Sequence, residues 1–457
     1  MRGKSEGEDQ SDLFAKSGQP APNNTATQGH EIPRDTTRGD ATLSLLREGY
    51  AFIPQRMKRL DTNIFRTRLM LRDTLCLSGP AAAELFYGSG MLTRIGAMPQ
   101  TVLRLLQDKE SVQQLDGEEH RHRKAMFIRL LMQDDDGMTR LVALFRRHFI
   151  ARLPEWEQRD SVTLSTEIDN ILAETALRWT GTPLATLDLA RDGRTLAEMV
   201  QGAGRFGPRT WLALARRNRL EKRIRSIFKD IRDNRIAVAE GSPIDHVAQH
   251  RDRQGALLSP RAAAVELINI LRPIVAIGRY IVFAAMALHE HDEWRRLLSA
   301  GADELLPDFA EEIRRISPFF PFVGAVAKED MIFEGHRIPK GQWLLLDLYG
   351  TTHDETLFPE PHRFKPHRQL SWRDRNNAFI PQGAGDIATT HRCPGERATV
   401  EILMEAIRIL TRDISYAVAE QDLEVPLNRV PAGPNSGFVM TKVRRTAAPD
   451  TPSAPGQ

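Results

Sequence analysis

Apolar residues recur at helical spacing through most of the interior of the chain. Between Thr163 and Trp179, the residues Leu164, Ile168, Ile171, Leu172 and Leu177 fall on one stripe. Leu212 to Val238 is basic and amphipathic, and Arg261 to Glu290 is one long apolar stretch. Trp294 to Ile316 predicts one or two helices broken near Pro307, and Val400, Leu403, Ile407 and Leu410 mark one face of another. Strand signals gather in one place: Val323 to Val326, Met331 to Phe333 and Trp343 to Leu348, separated by Glu-Gly and Pro-Lys-Gly turns. The pattern predicts a mainly α protein with a small β-sheet region. Regular strand–helix alternation is missing, and no G-x-G-x-x-G or G-x-x-x-x-G-K-[ST] lies between a strand and a helix, which argues against a dinucleotide or P-loop site. Residues 1–40 and the tail 444–457 carry too few apolar residues to offset the entropy of ordering, so both are expected to be disordered, flanking a single domain over 41–443.

Charge changes the picture little. Across 457 residues, 63 Lys and Arg against 60 Asp and Glu leave +3, too weak a balance to make nucleic acid the main partner. The two cysteines, Cys76 and Cys393, form no disulfide framework and fit a reducing compartment. The first 40 residues hold no apolar run of signal-peptide length. Leu271 to Leu288 contains Arg272, Pro273 and Arg279, which suits a buried helix better than a lipid-facing one. No membrane anchor and a cytoplasmic location are therefore expected.

The segment Phe379 to Glu405 carries the most chemical information. Gln382, Gly383 and Gly385 form a Gly-rich loop, His391-Arg392-Cys393-Pro394-Gly395 follows, and then a helix begins. A cysteine just ahead of a helix sees backbone N–H groups and the positive end of the helix dipole. With Arg392 beside it, this setting favours thiolate, a nucleophile or a metal ligand. A lone cysteine elsewhere would be read as a small buried hydrophobe. This loop, in this order ahead of an amphipathic helix, resembles the haem-binding loop of the cytochrome P450 superfamily. The resemblance implies the cytochrome P450 fold, with haem between a long kinked distal helix and a proximal Cys-loop helix. It implies haem b (iron protoporphyrin IX) as cofactor and Cys393 as the axial iron ligand. The stretch Asp386 to Thr390 is longer than usual in that loop, with Thr390 where glycine is more common, and it is similar to the fatty-acid peroxygenase branch.

Other segments extend the likeness. Glu312 and Arg315 lie three apart on one helix face about 80 residues before the cysteine. By themselves they would be an exposed ion pair worth ~0–1 kcal/mol. In the superfamily such a pair meets a later arginine and braces the haem loop. Arg368 in Pro366-His367-Arg368-Gln369 is the expected partner, and Arg363 in Pro361-His362-Arg363-Phe364 is its rival. Asp116 to Lys124 is rich in cations, and His120 and Lys124, four apart, can reach one object. By resemblance, His120, Lys124, Arg392 and Arg94 hold the haem propionates, buried carboxylates that need cationic or hydrogen-bonding partners.

Arg272 sits inside an apolar run, followed by Pro273, and its neighbours three and four residues away (Ile268, Asn269, Val275, Ala276) include no acid. A buried unpaired guanidinium costs several kcal/mol, so a partner must come from elsewhere. On the residues alone, a core salt bridge and an open site for a substrate carboxylate both stand, the salt bridge being the commoner case. Pro273 removes a helical hydrogen bond and clashes with the carbonyl of Asn269, predicting a kink. Oxygen-using P450s carry an acid and an alcohol in this helix. The Arg-Pro found here is similar to the fatty-acid peroxygenases, as are LRPIVAI, HEHDEW, LLLDLYGTTHDE and HRCPGE. The resemblance implies hydroxylation of a long-chain fatty acid at the α or β carbon with hydrogen peroxide and no redox partners. The substrate carboxylate, held by Arg272, then serves as general acid–base. Phe319, Phe320 and Phe322 are candidates for the acyl channel, although such aromatics are more often plain core. Gln113 occupies the position of a histidine in olefin-forming relatives. Because glutamine does not titrate, hydroxylation is favoured over decarboxylation. Gln107 stands where relatives tend to carry Phe, which alters the pocket. The competing expectations are a terminal-olefin-forming decarboxylase, a dioxygen-dependent monooxygenase fed by redox partners, and a non-catalytic haem sensor or carrier.

Overall fold

A computed structural model describes residues 30–202, 204, 207–368 and 377–446. The long apolar stretch forms two consecutive helices, Pro260–Ala276 and Gly278–Glu290, and is long and apolar enough by composition to cross a membrane. It lies instead inside the protein, with 89% of its most apolar window buried. Ser259 starts it, its hydroxyl accepting from the Ala262 N–H at 2.9 Å, with Pro260 in the first turn. The interruption expected at Pro273 falls one turn later, at Ile277. There Gly278 lets the helix Leu164–Trp179 approach so closely that a Cβ would lie 2.5 Å from the Ile168 side chain. The basic amphipathic segment begins earlier than its apolar pattern indicates, as helix Pro208–Arg232, because Pro208 suits a first helical turn. Trp294 to Ile316 divides into Asp292–Ser299 and Leu306–Ile316, with Pro307 in the first turn of the second.

Five strands form the main sheet in the order Ile64–Leu69, Arg72–Leu77, Trp343–Asp347, Phe322–Ala327, Leu92–Thr93. Leu75 pairs in parallel with Leu344, and Val323 opposes Leu346 in antiparallel register. The hairpin from Ile64 to Leu77 escaped the sequence pattern for a specific reason. Its turn residues Met70 and Leu71 both adopt positive φ, 50° and 60°, without the Asn-Gly or Asp-Gly that usually marks such a turn. A three-stranded sheet joins Ser161–Thr163, Val439–Arg445 and Ile414–Val418, and Met331–Phe333 pairs with His336–Ile338.

The expected disorder is corrected at both ends. Of the polar N-terminal stretch, residues 30–40 are docked. Asp35 N–H donates to the Arg66 carbonyl at 2.9 Å, and the Asp35 carboxylate accepts from Arg56 at 2.9 Å and Arg59 at 2.8 Å. Two arginines from the helix Phe52–Leu60 thus hold a segment too polar to form a core of its own. At the other end, Arg444 and Arg445 finish a strand. Residues 1–29 and 447–457 lie outside the described residues.

Candidate active site

A cavity of about 320 Å³ lies in the interior. The long helix lends it Asn269, Arg272 and Pro273, and the helix Gly117–Ile128 lends His120 and Lys124. His391, Arg392 and Cys393 come from the loop before helix Glu396–Arg408. Gln107, Gln113, Arg94, Phe319, Phe320 and Phe322 also line it. All the residues proposed from the sequence for substrate, oxidant and cofactor therefore meet in one space.

The cysteine loop is built by returns of its own backbone. Cys393 N–H donates to the Gln382 carbonyl at 2.9 Å. Gly383 and Gly385 have φ of 98° and 74°, and a Cβ on Gly383 would lie 3.1 Å from the Arg392 Cα. These glycines are needed for contact of the loop with itself. Thr390, the departure from glycine, donates to the carbonyls of Ala384 (3.0 Å) and Asp386 (2.8 Å), pinning the longer loop.

Burial pushes the Cys393 thiol up, while the Gly395 N–H and the Gln382 side chain pull it down and the Glu396 carboxylate raises it. The helix start and Arg392 therefore do not by themselves secure the thiolate expected from the sequence. Arg392 supplies little positive charge to the sulfur, because Glu396 engages its Nε and Nη2, both at 2.8 Å, while Nη1 donates to the Gly385 carbonyl at 3.2 Å. In this setting a bound metal cation would be what deprotonates the thiol.

The basic residues around the cavity are short of anions. Burial lowers Arg94, pushes His120 down to about 3, Lys124 down to about 8 and Arg272 down to about 10. Arg94 donates to the Gly324 carbonyl at 2.6 Å and lies over the Tyr87 ring at 5.1 Å, but among the described residues its other terminal nitrogen, buried, has no hydrogen-bond partner. Lys124 donates to the carbonyls of Thr390 and Arg392. The His120 and His391 rings lie 4.0 Å apart, and Asp116 approaches His391 at 3.9 Å. A buried sulfur donor with cations lacking counter-charges fits a haem, whose iron takes the thiolate and whose carboxylates neutralise the cations. Arg392, already held by Glu396, fits that role less well than Arg94, His120 and Lys124.

Arg272 is buried, its Nε has no partner, and among the described residues no carboxylate pairs with it. The nearby cation Arg217 lowers its pKa further, and Cys393 acts in the opposite direction. Arg217 is itself neutralised by Asp108 at 2.9 Å and Glu221 at 2.7 Å. One turn before Arg272, Asn269 Nδ2 donates to Gln113 Oε1 at 3.3 Å, Glu266 Oε2 at 3.2 Å and the Gln107 carbonyl at 3.4 Å. Glu266 also accepts from Arg123 at 3.0 Å, and burial pushes it up to about 7. Gln107 Oε1 accepts from Gln114 at 3.3 Å. Phe319 stacks on Tyr280 (4.6 Å, 7°) and meets Phe320 edge-on at 4.9 Å.

Glu312 accepts from Arg315 twice at 2.8 Å, and Arg368 Nε donates to both Glu312 oxygens at 3.1 and 3.2 Å. The rival Arg363 is exposed and pairs with Glu360. Arg315 and Arg368 also donate to carbonyls of Thr352, Pro359, Glu360 and Arg363. Among the described residues this cluster does not reach the cysteine loop. Its neighbour Arg314 does, donating to Gln382 Oε1 at 3.1 Å and to Glu396. The sequence reading missed Arg314, as well as Asn269, Glu266, His391 and Tyr87. The position of Asn269 and Glu266 on the same helix face as Arg272 was the available signal.

Comparison with known proteins accounts for this combination. The cytochrome P450 sequence profile matches residues 304–423. The solved structure of cytochrome P450SP alpha (CYP152B1) is 38% identical, with a TM-score of 0.86 over 90% of this chain and 100% of that one. The chain belongs to the cytochrome P450 family. Two further similar P450 structures hold fatty acids. Cytochrome P450EX alpha (CYP152N1) with myristic acid is 35% identical with a TM-score of 0.87, covering 92% of this chain and 100% of that one. Cytochrome P450 OleT with arachidonic acid is 32% identical with a TM-score of 0.87 at the same coverage. The cytochrome P450 135B1 of Mycobacterium tuberculosis is 24% identical over 432 residues, 88% of this chain and 89% of its own. As a P450, this protein is an oxidoreductase whose cofactor is a haem-thiolate. Its place is in the fatty-acid peroxygenase branch of the family.

Proposed function

We propose that this P450 hydroxylates long-chain fatty acids at the α or β carbon using hydrogen peroxide, without redox partners, in the bacterial cytoplasm. The observation that carries the reading is a buried guanidinium, Arg272, with no carboxylate to pair with among the described residues, in the same cavity as Cys393. The fatty acids held by the P450EX alpha and OleT structures support the substrate class.

Haem b, bound through Cys393, supplies the oxygen-transfer chemistry, with Arg94, His120 and Lys124 holding its carboxylates. Arg272 binds the substrate carboxylate through a bidentate, charge-assisted pair and regains the counter-charge that burial denies it. The carboxylate so held takes a proton from one peroxide oxygen and delivers it to the other, the work of the acid–alcohol pair that has no counterpart beside Arg272. Fixing C1 at Arg272 leaves the α and β carbons as the nearest to react. Phe319, Phe320 and Phe322 line apolar wall suited to the chain beyond them. Pro273 follows the anchor without ending the helix. Gln113 is held at its carbonyl by Asn269 and has no proton to give near neutral pH, which favours hydroxylation over decarboxylation.

The test is incubation of haem-loaded protein with peroxide and a long-chain fatty acid, without reductase, followed by mass analysis. The 2- or 3-hydroxy acid is expected. A terminal alkene as main product would favour decarboxylation. A need for reductase and dioxygen would favour a monooxygenase, and haem without any product a sensor or carrier.

A further inference from the structure

The helix Pro208–Arg232 sorts its cations in a way that the cavity does not explain. Its inner arginines are matched to acids: Arg217 with Asp108 and Glu221, Arg225 with Glu221 at 2.5 Å, Arg216 with Glu198, and Arg223 with Asp192. On that side Leu220, Ile224 and Phe228 share the core with Leu267 and Ile268 of the long helix. The outer side is different. Arg209, Arg219, Lys222 and Lys229 are exposed and make no ion pair among the described residues, and no exposed position of this helix is acidic. At its N-terminal end two large apolar side chains stand in solvent, Trp211 at 65% and Leu212 at 47% exposure. At helical spacing, Trp211, Leu212, Arg219, Lys222 and Lys229 fall within an arc of about 100°.

We propose that this face docks on anionic lipid bilayers, with Trp211 and Leu212 entering the headgroup region and the cations held by lipid phosphates. An apolar end beside unmatched cations is the pattern of an interfacial helix. Each cation near an anionic surface adds attraction that salt screens. Nucleic acid or an acidic protein could satisfy the cations, but nucleic acid would leave Leu212 in water. Long-chain fatty acids partition into bilayers, so docking by a helix packed on the cavity's own wall would bring the enzyme to its substrate. That last step rests on the fatty-acid reading, whereas docking does not.

The test uses the full haem-loaded protein and sedimentation with vesicles of phosphatidylcholine, with and without phosphatidylglycerol. Binding is expected only with phosphatidylglycerol, and it should be lost at high salt. Lys222→Gln with Lys229→Gln should weaken it about 30-fold, at roughly one tenfold step per 1.4 kcal/mol and about 1 kcal/mol per cation. Trp211→Ser with Leu212→Ser should weaken it at least about tenfold. Peroxide-driven turnover of fatty acid supplied in vesicles should fall in these variants, while turnover of detergent-dispersed acid stays unchanged. Protein remaining in the supernatant with phosphatidylglycerol at low salt would overturn the proposal. So would binding indifferent to Trp211 and Leu212, or binding matched by duplex DNA. If vesicles bind as expected but no acid is turned over in either form, the fatty-acid reading fails and the docking face stands.

Discussion

The Arg272 guanidinium and the Cys393 thiol face one cavity, and among the described residues no carboxylate pairs with the guanidinium. A cation held this way is a cost to the folded protein that only a bound anion offsets.

That cost is measurable. Arg272→Met, similar in length and apolar, should stabilise the fatty-acid-free protein by about 1–3 kcal/mol, since replacing an unsatisfied buried charge by a packed apolar side chain is commonly favourable. Urea unfolding of the two proteins checks this. A less stable Arg272→Met would mean that the guanidinium has a partner in the folded chain.

The Glu312–Arg315–Arg368 cluster is the opposite case, a buried charge set with its partners in place. Glu312→Gln leaves two buried arginines without their shared carboxylate and should cost about 3–5 kcal/mol. Arg363→Ala removes only an exposed pair and should change stability by less than about 0.5 kcal/mol. Denaturant midpoints of both variants, with haem content, separate the two arginines.

Glu266 predicts a pH dependence. Its carboxyl is pushed from 4.5 up to about 7 by burial, so the folded state holds more proton than the unfolded state between those values. Its contribution to stability is therefore fully present below about 4.5 and is lost as pH rises towards about 7. Glu266→Gln should flatten this part of the stability profile. An unchanged slope would place the titration elsewhere.

On the proposed function, Gln113 is the residue that sets the product. Gln113→His places a titratable group where Asn269 now holds an amide carbonyl, and the terminal alkene fraction should rise at the expense of hydroxy acid. The product ratio by mass analysis checks it, and an unchanged ratio would remove Gln113 from that role.

The two residues most visible in the sequence were those whose setting is chemically improbable. Cys393 precedes a helix after a Gly-rich turn, and Arg272 interrupts an apolar run. Each breaks a local rule, and such breaks mark sites. The helices followed from their periodicity, as in Leu164–Trp179. What stayed hidden depends on distant partners. Arg392 is paired by Glu396, Asn269 joins Gln113 from another segment, and Arg314 meets Gln382 across 68 positions. The docked residues 30–40 are held by Arg56 and Arg59, which local composition does not foretell.

The most direct test of the anchor is peroxide-driven turnover of a long-chain fatty acid by the haem-loaded wild type and by Arg272→Ala, with haem ligation followed by the carbon monoxide difference spectrum. The account predicts the same thiolate-type spectrum for both and a loss of turnover of at least about 100-fold in the variant, the scale of a lost charge-assisted bidentate contact. Hydroxylation by Arg272→Ala at the wild-type rate would contradict it.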